Sequence, residues 1–214
     1  MKPAKRVLIF AGGTLGEWAL DIIAPDDYVI GADRGAAFLI RHGVTPDLSV
    51  GDFDSVSPEE LARIRESGNI LSFDPVHKDY TDSELALVEA LKLRPGAIVM
   101  LGMTGSRMDH TLANIHLLQA CLHAGIAAKI VDASNELAAT TSEYTVHRSR
   151  YTYVSLLPLA GNVTGITLEG FKYPLHDATL TVGQSLGISN ELLGETGTIR
   201  IKSGTLVVIQ SRDD

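Results

Sequence analysis

The chain has 214 residues, 45% of them hydrophobic and 21% charged, enough to bury an ordinary core in one or two domains. A formal net charge of −8 and a pI near 5.3 exclude a general nucleic-acid binder, which needs a basic face, but not a nucleotide held through a metal and a few cations. The single cysteine, Cys121, allows no internal disulfide framework and fits a reducing compartment. The apolar run 7–11 is too short for a signal sequence, and no stretch approaches the roughly 20 apolar residues of a membrane helix, so a cytoplasmic protein is expected.

Val7-Leu8-Ile9-Phe10 reads as a buried parallel strand, closed by Gly12-Gly13 and followed by a helix over 14–23. A glycine turn of this kind lets backbone N–H groups approach a phosphate, and it serves equally as a plain tight turn. A second strand over 28–32 ends at Asp33-Arg34-Gly35, where a helix runs to His42. Asp33 therefore stands at the carboxyl end of a strand, the edge where open α/β sheets bind ligands, and also at a helix N-cap. The two roles are compatible.

Residues 46–84 hold two acidic clusters: Gly51-Asp52-Phe53-Asp54-Ser55, and His77-Lys78-Asp79-Tyr80-Thr81-Asp82-Ser83-Glu84. Between them, Ser57-Pro58-Glu59-Glu60 starts a helix with a serine cap, Pro at the first position and Glu at the third, the pattern of a capping box. A strand follows over 70–73. Thr81 and Glu84 match a capping box, and Asp82 falls in the first helical turn, where the dipole favours negative charge. Asp79 has no comparable structural explanation. Four aspartates in loops with a lysine among them are the oxygen-rich donors that a hard cation such as Mg²⁺ takes, with substrate phosphates and water completing its shell. The pattern points to a site for a metal-bound phosphate compound.

A strand over 97–101 leads into Gly102-Met103-Thr104-Gly105-Ser106-Arg107-Met108-Asp109-His110 and a helix over 108–124 with a Leu112, Ile115, Leu118, Leu122 stripe. Arg107 at the start of a helix after a glycine turn suits an anion, and Asp109 is placed to orient it or to reach the metal. A strand over 127–131 follows. Residues 138–142 read as a connector. Beyond them come short alternating runs at 144–148, 151–157, 163–168, 179–182, 198–202 and 206–210. The organisation expected is an open, mostly parallel α/β domain over 1–138, binding nucleotide and metal, and a small antiparallel β-sandwich over 142–214.

Taken together and in order, Gly31-Ala32-Asp33-Arg34-Gly35, Pro46-Asp47, Gly51-Asp52-Phe53-Asp54-Ser55, Lys78-Asp79-Tyr80-Thr81-Asp82, the Gly102 to His110 run and a late Gly187-Ile188-Ser189-Asn190-Glu191 resemble the thiamine pyrophosphokinase family over nearly the whole chain. The resemblance implies transfer of a diphosphoryl group from ATP to the thiamine hydroxyl, with Mg²⁺, by a homodimer whose active sites lie at the subunit interface. It implies metal ligands at Asp52, Asp54 and Asp82 with Asp33 close by. A nucleotide-side group would comprise Arg34, Lys78, Asp79, Thr81, Arg107 and Asp109, and thiamine contacts would come from Ser189 and Asn190. One departure is visible: the family's aromatic wall, often a Trp near the carboxyl end, has no counterpart, since the only Trp is Trp18.

The residues suit that chemistry. Carboxylates at Asp52, Asp54 and Asp82 would hold metal that orients the triphosphate. Lys78 or Arg107 would offset charge on the leaving α-phosphate, and an aspartate, Asp79 by choice, would accept the hydroxyl proton. Two other readings keep the site: a metal-dependent diphosphotransferase acting on a pterin alcohol, and a non-catalytic nucleotide sensor.

Overall fold

The computed structural model describes residues 6–72 and 80–213. The chain divides into two compact units, residues 1–133 and 134–214. The first has the element order β1 (Arg6–Phe10), a 3₁₀ turn (Glu17–Ile22), β2 (Tyr28–Ala32), α1 (Arg34–Arg41), β3 (Leu48–Gly51), α2 (Pro58–Glu66), β4 (Ile70–Ser72), α3 (Asp82–Lys92), β5 (Ala97–Leu101), α4 (Met108–His123) and β6 (Ala127–Val131). Its strands lie in the order β4-β3-β2-β1-β5-β6, every pairing among the described residues parallel. The strands are near-continuous apolar runs because helices cover the sheet, and Leu8, Ile9, Phe10, Ile98, Met100 and Leu101 are fully buried.

Two glycines set the packing of α1. A Cβ on Gly31 would meet Ala36 Cα at 2.6 Å, and one on Gly35 would run into the Phe10 carbonyl. The helix start therefore lies directly on β1 and β2, which fixes Asp33 and Arg34 at the sheet's carboxyl edge. The helix α2 begins with the capping box read from its sequence: Ser57 Oγ accepts the Glu60 N–H and Glu60 Oε2 accepts the Ser57 N–H.

The helix expected over 14–23 is instead the 3₁₀ turn Glu17–Ile22. The N–H groups of Gly13 and Thr14 donate to the carbonyls of Gly102 and Thr104, Gly16 is extended at φ −139° and ψ 173°, and Ile23 is extended again at φ −71° and ψ 122° ahead of Pro25, so only the residues between them turn.

The second unit is antiparallel: β7 (Asn135–Thr140), β8 (Glu143–His147), β9 (Tyr153–Glu169), β10 (Ala178–Leu180), β11 (Thr196–Arg200) and β12 (Ser203–Ser211), ordered β7-β12-β9-β11-β8 with β10 on β9. The runs expected at 151–157 and 163–168 belong to one strand. The first half of β9 pairs with β12 and its last residues with β11, so a single strand serves both layers of the sandwich. Val154, Leu156, Val163, Ile166, Leu168, Phe171, Ile199, Leu206 and Val208 fill the space between the layers. Residues 138–140, expected as connector, are strand: Ala138, Ala139 and Thr140 pair with Val208, Val207 and Leu206. Alanine has low strand propensity, and burial on a well-paired strand overrides it.

Candidate active site

The site is built at the carboxyl ends of β2 and β3, where two turns carry acids. Phe53 organises the second turn. It adopts a left-handed φ of 58° and buries its ring against Ala36, Ala37 and Ile64, with 5% of its surface exposed. Its neighbours Asp52 and Asp54 are thereby left at the surface, and Asp54 N–H donates to Asp52 Oδ1 at 3.2 Å.

Asp33 ends β2 with φ 49°, a conformation non-glycine residues rarely adopt. Its N–H donates to the Val50 carbonyl at 2.9 Å, tying this turn to β3. Ser55 Oγ donates to Asp33 Oδ2, while Asp33 Oδ1 is buried with no hydrogen-bond partner among the described residues. Burial pushes the Asp33 carboxyl above its ordinary pKa; the Ser55 hydroxyl opposes this, and the charges of Asp54 and Asp52 add to it. Asp33, Asp52 and Asp54 each bring one carboxylate oxygen within 4.8 Å of the others.

Asp82 stands beside this set at the start of α3. Burial, then the charges of Asp33, Asp52 and Asp54, raise its pKa to about 6. Gly51 makes the approach possible: a Cβ there would sit 3.2 Å from Asp82 Oδ1, and its φ of 141° disfavours any side chain. No Lys or Arg among the described residues forms an ion pair with these four aspartates. Converging carboxylate oxygens, an orphaned buried Oδ1 and mutual repulsion that raises the pKa of Asp33 and Asp82 are the donor set of a hard cation. These residues fit Mg²⁺.

A prediction follows from Asp82. Its folded pKa of about 6 lies above the ordinary 3.8, so between those values the folded chain holds a proton that the unfolded chain has lost. The metal-free protein is therefore expected to lose stability as pH rises from about 4 through about 6. Discounted for the side chain's half-exposed position, the loss is about 1 kcal/mol. Thermal melts at pH 5 and pH 7.5 would check this. Asp82→Asn should flatten the wild-type slope, and Mg²⁺ should stabilise the wild type more at pH 7.5 than at pH 5. An unchanged slope in Asp82→Asn would remove this account.

Across a cleft of about 600 Å³ lie the turns after β1 and β5. Gly13 N–H donates to the Gly102 carbonyl at 2.8 Å and Thr14 N–H to the Thr104 carbonyl at 2.7 Å. These glycine-turn amides join the two turns and are not free to hold a phosphate. The β5 turn is pinned from behind: Asn114 Nδ2 donates to the Met103 carbonyl at 2.8 Å, Thr104 Oγ1 to Asp132 at 2.9 Å, and Gly105 N–H to Thr111 Oγ1 at 3.3 Å. Arg107 follows at the N-cap of α4. Asp109 grips it in a fork, Nε to Oδ1 at 3.2 Å and Nη2 to Oδ2 at 2.5 Å, and the guanidinium lowers the Asp109 pKa to about 2. Both side chains are exposed, so the pair presents an oriented cation at the cleft.

Asp33, Arg34, Asp52, Asp54, Thr81, Asp82 and Arg107 thus line one cleft. Thr81 is also the α3 cap, its Oγ1 accepting the Glu84 N–H at 3.2 Å. Lys78 and Asp79 lie outside the described residues. Ser189 and Asn190 belong to the second unit. Both ends of the Asn190 amide are engaged by backbone: Oδ1 accepts from Tyr173 and Glu191, and Nδ2 donates to the Tyr173 carbonyl. Asn190 thereby braces the loop. Ser189 is exposed with φ 57°, its N–H held by Ser155 Oγ at 3.0 Å. Sequence reasoning missed Ser55, Thr104 and Asn114. Asn114 carries a readable signal, an amide one turn beyond His110 on a helix that opens on the site.

A parallel sheet with converging carboxylates at its carboxyl edge, faced by an arginine at a helix start, defines an enzyme that handles polyphosphate esters. Residues 20–130 match the family profile described as thiamin pyrophosphokinase, catalytic domain, and residues 143–206 that described as thiamin pyrophosphokinase, vitamin B1 binding domain. The thiamine pyrophosphokinase of Bacillus subtilis (strain 168) is 37% identical over 186 residues, covering 86% of this chain and 87% of that protein. A crystal structure of thiamine pyrophosphokinase from Bacillus subtilis superposes with a TM-score of 0.90 at 34% identity, covering 98% of this chain and 100% of that one. One from Geobacillus thermodenitrificans gives 0.87 at 34% identity, with 98% of each chain covered. The chain belongs to the thiamin pyrophosphokinase family.

Proposed function

We propose that this chain is an ATP:thiamine diphosphotransferase. The observation that carries the reading is the four-aspartate cleft, within a chain whose two parts match the family's catalytic and vitamin B1 binding domains. The thiamine hydroxyl oxygen attacks the β-phosphorus of ATP in line. The bond from that phosphorus to the α,β-bridging oxygen breaks, AMP departs, and the hydroxyl proton passes to a base. Asp52, Asp54 and Asp82, with Asp33 beside them, would hold Mg²⁺; once bound, the ion offsets triphosphate charge and orients its oxygens.

The chain's own groups do the remaining work. Arg107, aimed by Asp109, stabilises negative charge growing on the departing α-phosphate. Arg34 and Thr81 line the nucleotide side, with Lys78 assigned there as a further cation. Asp79 is assigned as the base, and Ser189 as a contact to thiamine. A cleft of net negative charge also favours thiamine, a cation.

The assembly proposed is a cytoplasmic homodimer with active sites at the subunit interface. Exposed apolar side chains support a buried contact: Met108 and Leu112 one turn apart on α4, and Leu186, Ile188 and Leu193 in the second unit. No helix among the described residues is long and apolar enough to cross a membrane.

One reaction tests the assignment: purified protein, Mg²⁺, ATP and thiamine, with every product identified by mass. Thiamine diphosphate with equimolar AMP is expected. Thiamine monophosphate with ADP would overturn the reaction type. Intact ATP, bound but unconsumed, would overturn the acceptor and favour a pterin alcohol or a sensing role.

A further inference from the structure

We propose that Ser55 is a positioning residue that decides which oxygen of Asp33 is offered to the cation. The proposal rests on the metal reading given above and adds a residue to which that reading assigns no role.

Two serines follow the acidic turn. Ser57 caps α2 through a complete capping box, so the helix makes no demand on Ser55. The Ser55 hydroxyl instead crosses to the neighbouring turn, 22 residues earlier in the chain, and donates to Asp33 Oδ2. The partner oxygen, Oδ1, is buried and has no hydrogen-bond partner among the described residues. A carboxylate with one oxygen occupied by a donor and the other bare has a fixed orientation and one acceptor to give.

The Asp33 backbone is held as well, by its N–H on the Val50 carbonyl at 2.9 Å in a left-handed conformation. Main chain and carboxylate are thus fixed separately, and the Ser55 hydroxyl is the side-chain donor to the second, beside the local Arg34 N–H. A hydroxyl suits the task because it is neutral. An arginine or lysine there would neutralise Asp33 and compete with the cation, whereas Ser55 orients the carboxylate and leaves its charge for the metal. The same hydrogen bond ties the Asp33 turn to the turn bearing Asp52 and Asp54, so it also helps hold their three oxygens within 4.8 Å. Without Ser55, the Asp33 carboxylate keeps only its backbone donor, the Arg34 N–H, and loses the one that crosses to the Asp52 and Asp54 turn, so that set loosens.

The test is Mn²⁺ binding by the full chain without nucleotide, measured by calorimetry and by the electron spin resonance of free Mn²⁺, beside thermal melts in chelator. Ser55→Ala is expected to bind Mn²⁺ about 10-fold or more weakly, the loss typical of removing an outer-shell partner, with an unchanged melting temperature. Ser55→Thr keeps the hydroxyl and should stay within about threefold of wild type. Ser55→Ala binding as tightly as wild type would overturn the proposal and leave the metal reading standing. Weaker binding accompanied by a lower melting temperature in chelator would make Ser55 a structural residue and overturn it too. Wild-type chain that takes up no Mn²⁺ would overturn the metal reading and this proposal with it.

Discussion

Replacing Asp54 by Asn is expected to lower kcat for thiamine diphosphate formation by about 10³-fold or more while leaving the folded chain as stable as wild type. The two halves of that expectation come from the same geometry. Asp54 lends one oxygen to the three-carboxylate set with Asp33 and Asp52. A metal ion supplies several kcal/mol of charge stabilisation in phosphoryl transfer, and about 4 kcal/mol lost corresponds to about a thousandfold in rate. Stability responds differently. Asp54 is exposed, its side chain fills no core space, and its charge raises the pKa of both Asp33 and Asp82. Removing it relieves repulsion, so the melting temperature in chelator should hold or rise slightly. Turnover at the wild-type rate would take Asp54 out of the metal site. A large fall in melting temperature would mean that the carboxylate has a structural partner the geometry does not contain.

How legible such a site is depends on how local its causes are. Asp52 and Asp54 stand out in the sequence because they lie in a turn between an apolar strand and a helix signal, and Asp82 because it follows a helix cap, and those signals are short-range. The capping box of Ser57 and Glu60 formed as read, for the same reason. The fold class was equally legible: near-continuous apolar strands alternating with helices, then alternating runs without helical period. What was not legible depends on neighbours distant in sequence. The Gly12-Gly13 turn looked like a possible phosphate loop. The amides of Gly13 and Thr14 are taken by carbonyls of the β5 turn, a pairing that exists only because β5 lies beside β1 in the sheet. The expected helix is likewise cut to a 3₁₀ turn by extended backbone at Gly16 and Ile23. Asn190, which only the family resemblance assigns to thiamine, also braces its own loop, and its backbone partners at Tyr173 lie 17 residues away. Ser55 belongs with these, since nothing local marks a hydroxyl whose partner is 22 residues back.

Phe53→Ala should be the most destabilising substitution in the acidic turn, although Phe53 touches no substrate in the proposed reaction. Its ring is buried against Ala36, Ala37 and Ile64, with Ile40, Val56, Leu61 and Ile70 packed around them. Truncating a buried Phe to Ala costs about 3–5 kcal/mol, through lost burial and the cavity left behind. For a chain of this size that is a fall of roughly 10 °C in melting temperature. The chemical consequence follows from the mechanical one. With φ 58°, Phe53 stays in a left-handed conformation because its side chain is anchored in the core, and that conformation holds Asp52 and Asp54 out toward Asp33. Without the anchor the turn can relax to ordinary backbone, so Mg²⁺ affinity should fall with stability, and saturating Mg²⁺ should restore part of the rate. Phe53→Leu separates the two effects: it keeps most of the buried volume, should cost about 1–1.5 kcal/mol, and should need only modestly more Mg²⁺. Melts in chelator and rate against Mg²⁺ concentration for both variants decide the matter. If Phe53→Ala melts with wild type, the ring is not the anchor. If it melts early yet needs no more Mg²⁺ than wild type, the acidic turn keeps its shape by its own hydrogen bonds, Asp54 N–H to Asp52 and Ser55 to Asp33, and the core beneath it contributes stability alone.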